Sequence, residues 1–255
     1  MLDDTTPVIL TFDEAANISR VLDSLSWAND IVVVDSGSLD GTLEIISRYS
    51  NVRMYTRAFH EHADQWNFAL KETGIQSEWV LALDADHVMT EELIQELSAM
   101  APTAEFSGYR ISFKYCVLGR QLKGSLYPPL ISIYRRTRAH YIQQGHTQRV
   151  VVQGRIGSLS SCLLHDDRKS LGRWLKSQNR YMRLEAALIR QSSWKQLSWP
   201  NRVRMFIIPA PIVTFLWCLL VKRTILDGIP GIYYSVQRMV AEFILSFHLI
   251  VRLCR

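Results

Sequence analysis

The chain is short of the residues that would make it a disulfide scaffold, a fibre or a disordered segment. Its four cysteines, Cys116, Cys162, Cys218 and Cys254, lie far apart, with no CxxC pair and no histidine at zinc-site spacing. Reduced, mostly buried thiols are therefore the expectation. Twelve glycines and eight prolines in 255 residues are too few for collagen-like or low-complexity sequence. Neither GxxxxGK[ST] nor GxGxxG occurs, so the fingerprints of P-loop and dinucleotide-binding folds are missing. No basic-then-apolar leader opens the chain. Met1 is followed by Asp3 and Asp4, which predicts that the front half stays in the cytoplasm. Acidic residues are scarce after residue 167, where 15 Lys+Arg face only three Asp+Glu.

That scarcity exposes a division. Residues 1–167 carry a net charge of −7 and residues 168–255 a net of +12, together the overall +5. With 48% hydrophobic and 21% charged residues the chain is globular, long enough for one sizeable domain plus an appendage. Its mean hydropathy of +0.01 is slightly high for a soluble protein. The boundary expected from charge separates a domain at 1–167, in halves 1–100 and 101–167, from a basic, apolar, helical region at 168–255. A basic apolar tail suits nucleic acid or an anionic membrane, and its long apolar runs favour the membrane.

The first hundred residues alternate two periodicities. PVILTF (7–12), DIVVVD (30–35), residues 52–55 and EWVLALD (78–84) read as strands, the second continuous enough to be covered on both faces. Between them, 17–26, 43–49 and 64–71 read as helices, and Thr90 caps another through residue 100 with Glu91 and Glu92 in its first turn. This β-α repeat predicts an α/β fold with a mostly parallel sheet and right-handed crossovers. Residues 108–119 and 130–136 alternate as further strands, and 149–159 adds another strand or a hairpin, of a mixed or antiparallel sheet.

The last third predicts a long helix over 170–191. A charge-free run of 17 residues follows at 205–221, interrupted by Pro209 and Pro211, and a further apolar stretch at 239–251 contains Glu242 and His248. Soluble core helices, two spans, and interfacial or re-entrant helices kinked at the prolines all fit. The short length and the flanking Arg202, Arg204, Lys222 and Arg223 favour the interface.

Three strand exits gather carboxylates. In open α/β sheets ligands bind beyond the C-terminal strand ends. Asp84 and Asp86 of LDAD leave a strand at i and i+2, so they share a direction and suit Mg²⁺ or Mn²⁺ bound to a diphosphate. By itself an Asp-x-Asp is more often a solvated turn. Asp35 leaves its strand into the SGSLDGT loop, placed to accept from a base or ribose, though a capped βα turn explains Ser36, Ser38 and Thr42 as well. Asp13 and Glu14 sit at the third exit.

The segments TFDEAANI, VVVDSGSLDGT, ADQWNFAL and VLALDADHVMT, in that order over residues 7–100, resemble family 2 glycosyltransferases of the GT-A fold. They are most similar to the bacterial branch that builds lipopolysaccharide core, capsule and exopolysaccharide. The resemblance implies a hexosyltransferase-type enzyme using a nucleotide-sugar, UDP-linked by expectation. It places Thr11, Asp13 and Glu14 at the nucleotide, Asp35 at a uracil-type base, and Asp64, Gln65 and Asn67 near ribose and diphosphate. Asp84 would contact ribose or metal-bound diphosphate, and Asp86 would be the ligand to Mn²⁺ or Mg²⁺. It also implies inversion with a carboxylate base, a lipid-linked or lipopolysaccharide-type acceptor, and work at the cytoplasmic face of the bacterial inner membrane.

Two departures stand out. The first motif reads Phe12-Asp13-Glu14-Ala15 where relatives have Phe-Asn-Glu-Glu, and His146 is followed by Thr147 where many relatives carry His-Glu. A threonine cannot serve as general base. Asp166 and Asp167, the only carboxylates between Glu105 and Glu185, are preferred replacements over His146, and His165-Asp166 forms a candidate base-and-orienter pair. Caps on a helix N-terminus explain the same residues. Arg135, Arg136 and Arg149 are candidates for gripping diphosphate or acceptor. A polyprenyl phosphate acceptor, which needs no base, is the alternative reaction, and a non-catalytic membrane adaptor the alternative role.

Overall fold

The computed structural model describes residues 1–101, 104–144, 147–195 and 197–251. The chain divides into two compact units, residues 1–114 with 127–168 and residues 115–126 with 169–255.

In the first unit, strands β1 (Thr5–Thr11), β2 (Ile31–Asp35), β3 (Val52–Thr56) and β4 (Trp79–Asp84) pair in parallel in the order β3-β2-β1-β4. Helices α1 (Ile18–Ser24), α2 (Thr42–Ile46) and α3 (His62–Glu72) connect them, and α4 (Glu91–Ala99) follows. The unbroken apolar runs arise because both sheet faces are covered. Ile9, Val33, Leu81 and Leu83 point to one core with Ile18, Leu22 and Leu93. Val8, Val32, Val34 and Val80 point to the other, with Trp66 and Leu70 of α3. Successive residues of a strand face opposite sides, so each strand feeds both cores. Thr90 caps α4 as expected, its hydroxyl accepting from the Leu93 N–H at 3.2 Å.

Beyond β4 the sheet turns antiparallel, as the alternating middle of the sequence predicts. The strands are β5 (His87–Met89), β6 (Phe106–Val117), β7 (Arg120–Gln121), β8 (Leu130–Arg135) and β11 (Arg155–His165), in the order β4-β8-β6-β11-β5 with β7 on β6. Pairing is antiparallel for β4/β8, β6/β8 and β11/β5. A separate hairpin joins β9 (Ala139–Gln144) to β10 (Thr147–Val152). The stretch 149–159, expected as a strand or a hairpin, is two strands, β10 and β11. Gly154 makes the turn at φ +116°, where a Cβ would collide with the Ser107 hydroxyl. The three-residue β5 is too short to show a period.

The second unit is built on helices α5 (Leu171–Gln191), α6 (Trp199–Arg204), α7 (Pro209–Leu216) and α8 (Ile229–Val251). Ala186 and Ile189 of α5 pack with Leu197 and with Leu245 and Leu249 of α8. Glu242, inside an apolar run, is buried against Arg204, which donates to both its carboxylate oxygens at 3.1 Å through Nε and reaches Glu185 at 3.4 Å. The His248 ring meets Asn179 Oδ1 at 2.8 Å. The run at 205–221 breaks at Ile207, which has φ +62°, and Pro209 and Pro211 fall in the first turn of α7, where a missing N–H costs nothing. Residues 115–126, expected in the first domain, belong here: Tyr234 Oη accepts from the Leu126 N–H at 2.9 Å, and Val117 and Leu122 pack on Cys218 and Tyr234. Among the described residues no helix is long and apolar enough to cross a membrane.

Leu81 is fully buried in β4, whereas Leu39 is 96% exposed. Leu81→Ala should lower the unfolding free energy by about 2–5 kcal/mol and Leu39→Ala by under about 0.5 kcal/mol, read from urea unfolding.

Candidate active site

Strands β1 and β2 end side by side, with Thr11 opposite Asp35. Asp35 is fully buried, and its charge is tolerable because both oxygens accept hydrogen bonds. Oδ1 takes the Gly37 and Ser38 N–H groups at 2.8 Å each, and Oδ2 takes the Thr11 and Ser38 hydroxyls at 2.8 and 2.5 Å. Gly37 and Gly41 adopt φ near +92°, which the tight SGSLDGT loop requires. Asp13, also left-handed at φ +55°, donates its N–H to Ser38 Oγ at 2.7 Å and accepts from the Leu39 N–H at 2.8 Å. Glu14 donates its N–H to Thr42 Oγ1 at 2.7 Å. The two loops are thereby stitched into one surface, with Asp35 as its internal anchor.

Helix α3 borders this surface. Arg57 donates to Gln65 Oε1 at 2.6 Å and pairs with Asp64 at 2.8 Å, while Gln65 Nε2 donates to Ser36 Oγ at 3.0 Å. Asn67 forms a two-sided bridge to the Tyr141 backbone, giving to its C=O and accepting from its N–H at 2.9 Å each. Gln65 and Asn67 thus act as braces, and Asp64 remains at the rim. A cleft of about 560 Å³ opens here, lined by His60, Glu61, Asp64, Asn67, Ile142 and Gln143 among others.

At the end of β4, Asp84 lies opposite Leu10, one residue short of the Thr11–Asp35 pair. Its side chain is 48% exposed, whereas that of Asp86 is 13% exposed. The β5/β11 pairing sets His165 directly across from His87. Asp86, His87 and His165 each bring a ligand-type atom within 4.8 Å of the others. His165 Nε2 stands 3.8 Å from Asp86 Oδ2, within the span of two metal–ligand bonds of about 2.0–2.2 Å. The residues present therefore fit a divalent metal, and a carboxylate with an imidazole suits Mn²⁺ better than Mg²⁺. Burial lowers the pKa of both histidines, with Asp86 opposing.

The Asp166-Asp167 pair is drawn in by the Asp166 N–H, which donates to the Asp86 carbonyl at 2.9 Å. Asp166 Oδ2 is shared by two guanidinium groups, Arg20 at 3.2 Å and Arg168 at 2.8 Å. That engages it as a structural clamp. Asp167 differs. The fully buried Asn17 amide donates to Asp167 Oδ1 at 3.0 Å and to Glu14 Oε2 at 2.8 Å, while its Oδ1 accepts from the Arg168 N–H. One amide therefore holds the carboxylates of Glu14 and Asp167 together, although Asn17 and Asp167 are 150 residues apart in sequence.

Two expected residues lie elsewhere. Arg135 pairs with Glu78, stacks 4.6 Å over Trp79 and is opposite Trp79 in register, and the Arg136 N–H donates to the Glu78 carbonyl at 2.9 Å. Both sit at the start of β4, the far end from Asp84, because β8 runs antiparallel to β4. They therefore stand away from the strand tips where Asp35 and Asp84 end. Arg149 is exposed on β10, across from Ile142 of the cleft. His146 lies outside the described residues. Asn17, Arg20, Arg57 and His87 were missed as site residues; Asn17 and His87 stood inside the quoted motifs, TFDEAANI and LDADH.

The family model for glycosyl transferase family 2 matches residues 7–160. The lipopolysaccharide core biosynthesis glycosyltransferase LpsC of Rhizobium meliloti is 27% identical over 195 residues, covering 70% of this chain and 68% of LpsC. An uncharacterised glycosyltransferase of Rickettsia bellii is 34% identical over 90 residues, covering 35% of this chain and 30% of that protein. The crystal structure of S. aureus TarS 1-349 in complex with UDP-GlcNAc covers 96% of this chain and 89% of its own at 17% identity, with a TM-score of 0.51. That likeness is one of fold and supports the α/β GT-A-like architecture. Since the family match spans more than half of the chain and takes in the exits of β1, β2 and β4, the chain belongs to glycosyl transferase family 2 and is a glycosyltransferase.

Proposed function

We propose that the enzyme transfers a sugar from a nucleotide-sugar, UDP-linked by first choice, to a hydroxyl of a lipid-linked glycan or lipopolysaccharide-type acceptor. The transfer is metal-dependent and inverts the anomeric centre. The observation that carries this reading is the convergence of the stitched Asp13–Thr42 surface, the Asp84/Asp86/His165 cluster and Asp167 at one edge of the sheet. Two relatives support its parts: the name of LpsC points to lipopolysaccharide core biosynthesis, and TarS has been solved with UDP-GlcNAc and with UDP.

In this reading the stitched loops receive the nucleoside, with Asp35 fixing their shape from beneath. Asp84, at the exposed strand tip, faces ribose and diphosphate. Asp86 and His165 would hold Mn²⁺ or Mg²⁺, whose positive charge neutralises the leaving diphosphate. Asp167 takes the proton of the acceptor hydroxyl, because Asp166 is engaged by two arginines and Asp167 is aimed by Asn17 beside Glu14.

The second unit supplies the basis for membrane contact at the cytoplasmic face of the inner membrane. Phe206, Ile208, Ile212, Leu220 and Ile229 are exposed, and Trp217 is half exposed, next to exposed Lys222 and Arg223. Apolar side chains flanked by cations fit the interface of an anionic bilayer without crossing it.

Thermal-shift screening of UDP-, GDP- and dTDP-sugars with Mn²⁺ should single out a UDP-sugar; a preference for GDP- or dTDP-sugars would overturn that donor. In transfer assays Asp167→Asn should lower kcat about 10²–10⁴-fold and Asp166→Asn far less; equal small losses would place the base elsewhere. Asn17→Ala, which leaves two carboxylates without their shared donor, should cost about 1–3 kcal/mol of stability by denaturant unfolding. Co-sedimentation with anionic vesicles should weaken in high salt and in Ile208→Asp with Leu220→Asp, and unchanged binding would contradict the interfacial role.

A further inference from the structure

Three ligand-type groups crowd together just beyond β4: the Asp86 carboxylate and the rings of His87 and His165, whose Nε2 atoms each stand 3.8 Å from an Asp86 oxygen. A simple reading gives all three to one ion. The backbone argues otherwise. The main-chain N–H of Asp84 donates to His87 Nδ1 at 3.1 Å. A peptide N–H has a proton to give and no lone pair, so Nδ1 must be the bare nitrogen. In the neutral ring the proton then sits on Nε2. A nitrogen that carries a proton is not a metal ligand.

The surroundings of Nε2 agree. Facing it are three oxygens, Tyr127 Oη at 3.5 Å and Asp84 Oδ2 and Asp86 Oδ1 at 3.8 Å each. All can accept, and two belong to carboxylates that would repel each other without a donor between them. The ring has little freedom to reverse its roles. His87 is 3% exposed, and its ring lies 4.8 Å from that of Phe113 and 5.3 Å from that of His165.

We propose that His87 is a positioning residue and not a metal ligand. Its Nε2–H, oriented by the Asp84 N–H on Nδ1, draws the Asp84 and Asp86 carboxylates toward one point. Asp86 and His165 are left as the protein's ligands. The proposal rests on the metal reading above only for what the carboxylates hold; the proton position stands without it. Asp86 and His165 would hold the ion, and its positive charge would neutralise the diphosphate of the nucleotide.

The test uses the full chain with ¹⁵N-labelled histidine, the His87 signals being assigned with the His87→Gln variant. Nuclear magnetic resonance should show bare Nδ1 and protonated Nε2 for His87, unchanged on adding Zn²⁺ as a diamagnetic probe, while His165 responds at one nitrogen. A proton on Nδ1, or a Zn²⁺-induced shift at His87 Nε2, would overturn the proposal. Calorimetry with Mn²⁺ reads the consequence. His87→Gln, which keeps an N–H near the Nε2 position, should bind within about threefold of the unaltered chain, and His87→Leu about 10–100-fold more weakly. A loss in His87→Gln as large as in His165→Ala would make His87 a ligand. If the unaltered chain binds no metal while His87 carries its proton on Nε2, the metal reading fails and the carboxylate clamp is upheld.

Discussion

Strand β1 runs between β2 and β4, and its register with both decides where chemistry can occur. Thr11 pairs with Asp35 and Leu10 with Asp84, so three strands end within one residue of each other. A shift of one residue would send every side chain of β1 to the opposite face, taking Ile9 and Val8 out of their separate cores. Burial on both faces forbids that slip. The hydrophobic packing that stabilises the sheet therefore also aligns the carboxylates, and no separate device is needed to bring Asp13, Asp35 and Asp84 to one edge.

On that edge the polar groups are organised by hydrogen bonds that reach far along the chain. Asp35 accepts four, making a rigid loop from a turn that would otherwise be mobile. Asn17 joins Glu14 to Asp167, and the Asp166 N–H joins β11 to Asp86. These few contacts close the site, because the proposed base, metal ligands and nucleotide loops come from elements that the sheet alone would leave independent.

The first hundred residues were legible because strands covered on both faces read as continuous apolar runs and the helices between them keep a 3.6-residue period. The order of motifs carried the family. Three features were hidden for physical reasons. Alternation marks β8 as a strand but not its direction, so Arg135 and Arg136 were expected at the wrong end of β4. A three-residue strand has no period, so β5 and its cross-strand pairing of His87 with His165 went unseen. Glu242 in an apolar run hinted at a membrane or a core without deciding; its partner Arg204 lies 38 residues away and became visible only once α6 and α8 were packed. Asn17 and His87 stood in quoted motifs, yet nothing in an amide or an imidazole beside acidic residues announces which carboxylate it will hold.

The proposed chemistry turns on the Asp84–Asp86 strand tip receiving a metal-bound nucleoside diphosphate. Calorimetric titration of UDP into the full chain, with and without Mn²⁺, tests it most directly when repeated on Asp86→Ala. Tight binding should appear only with Mn²⁺ and be lost in Asp86→Ala, while the circular dichroism spectrum and unfolding midpoint stay near those of the unaltered chain. Equal UDP affinity without the metal, or undiminished binding by a folded Asp86→Ala, would contradict it.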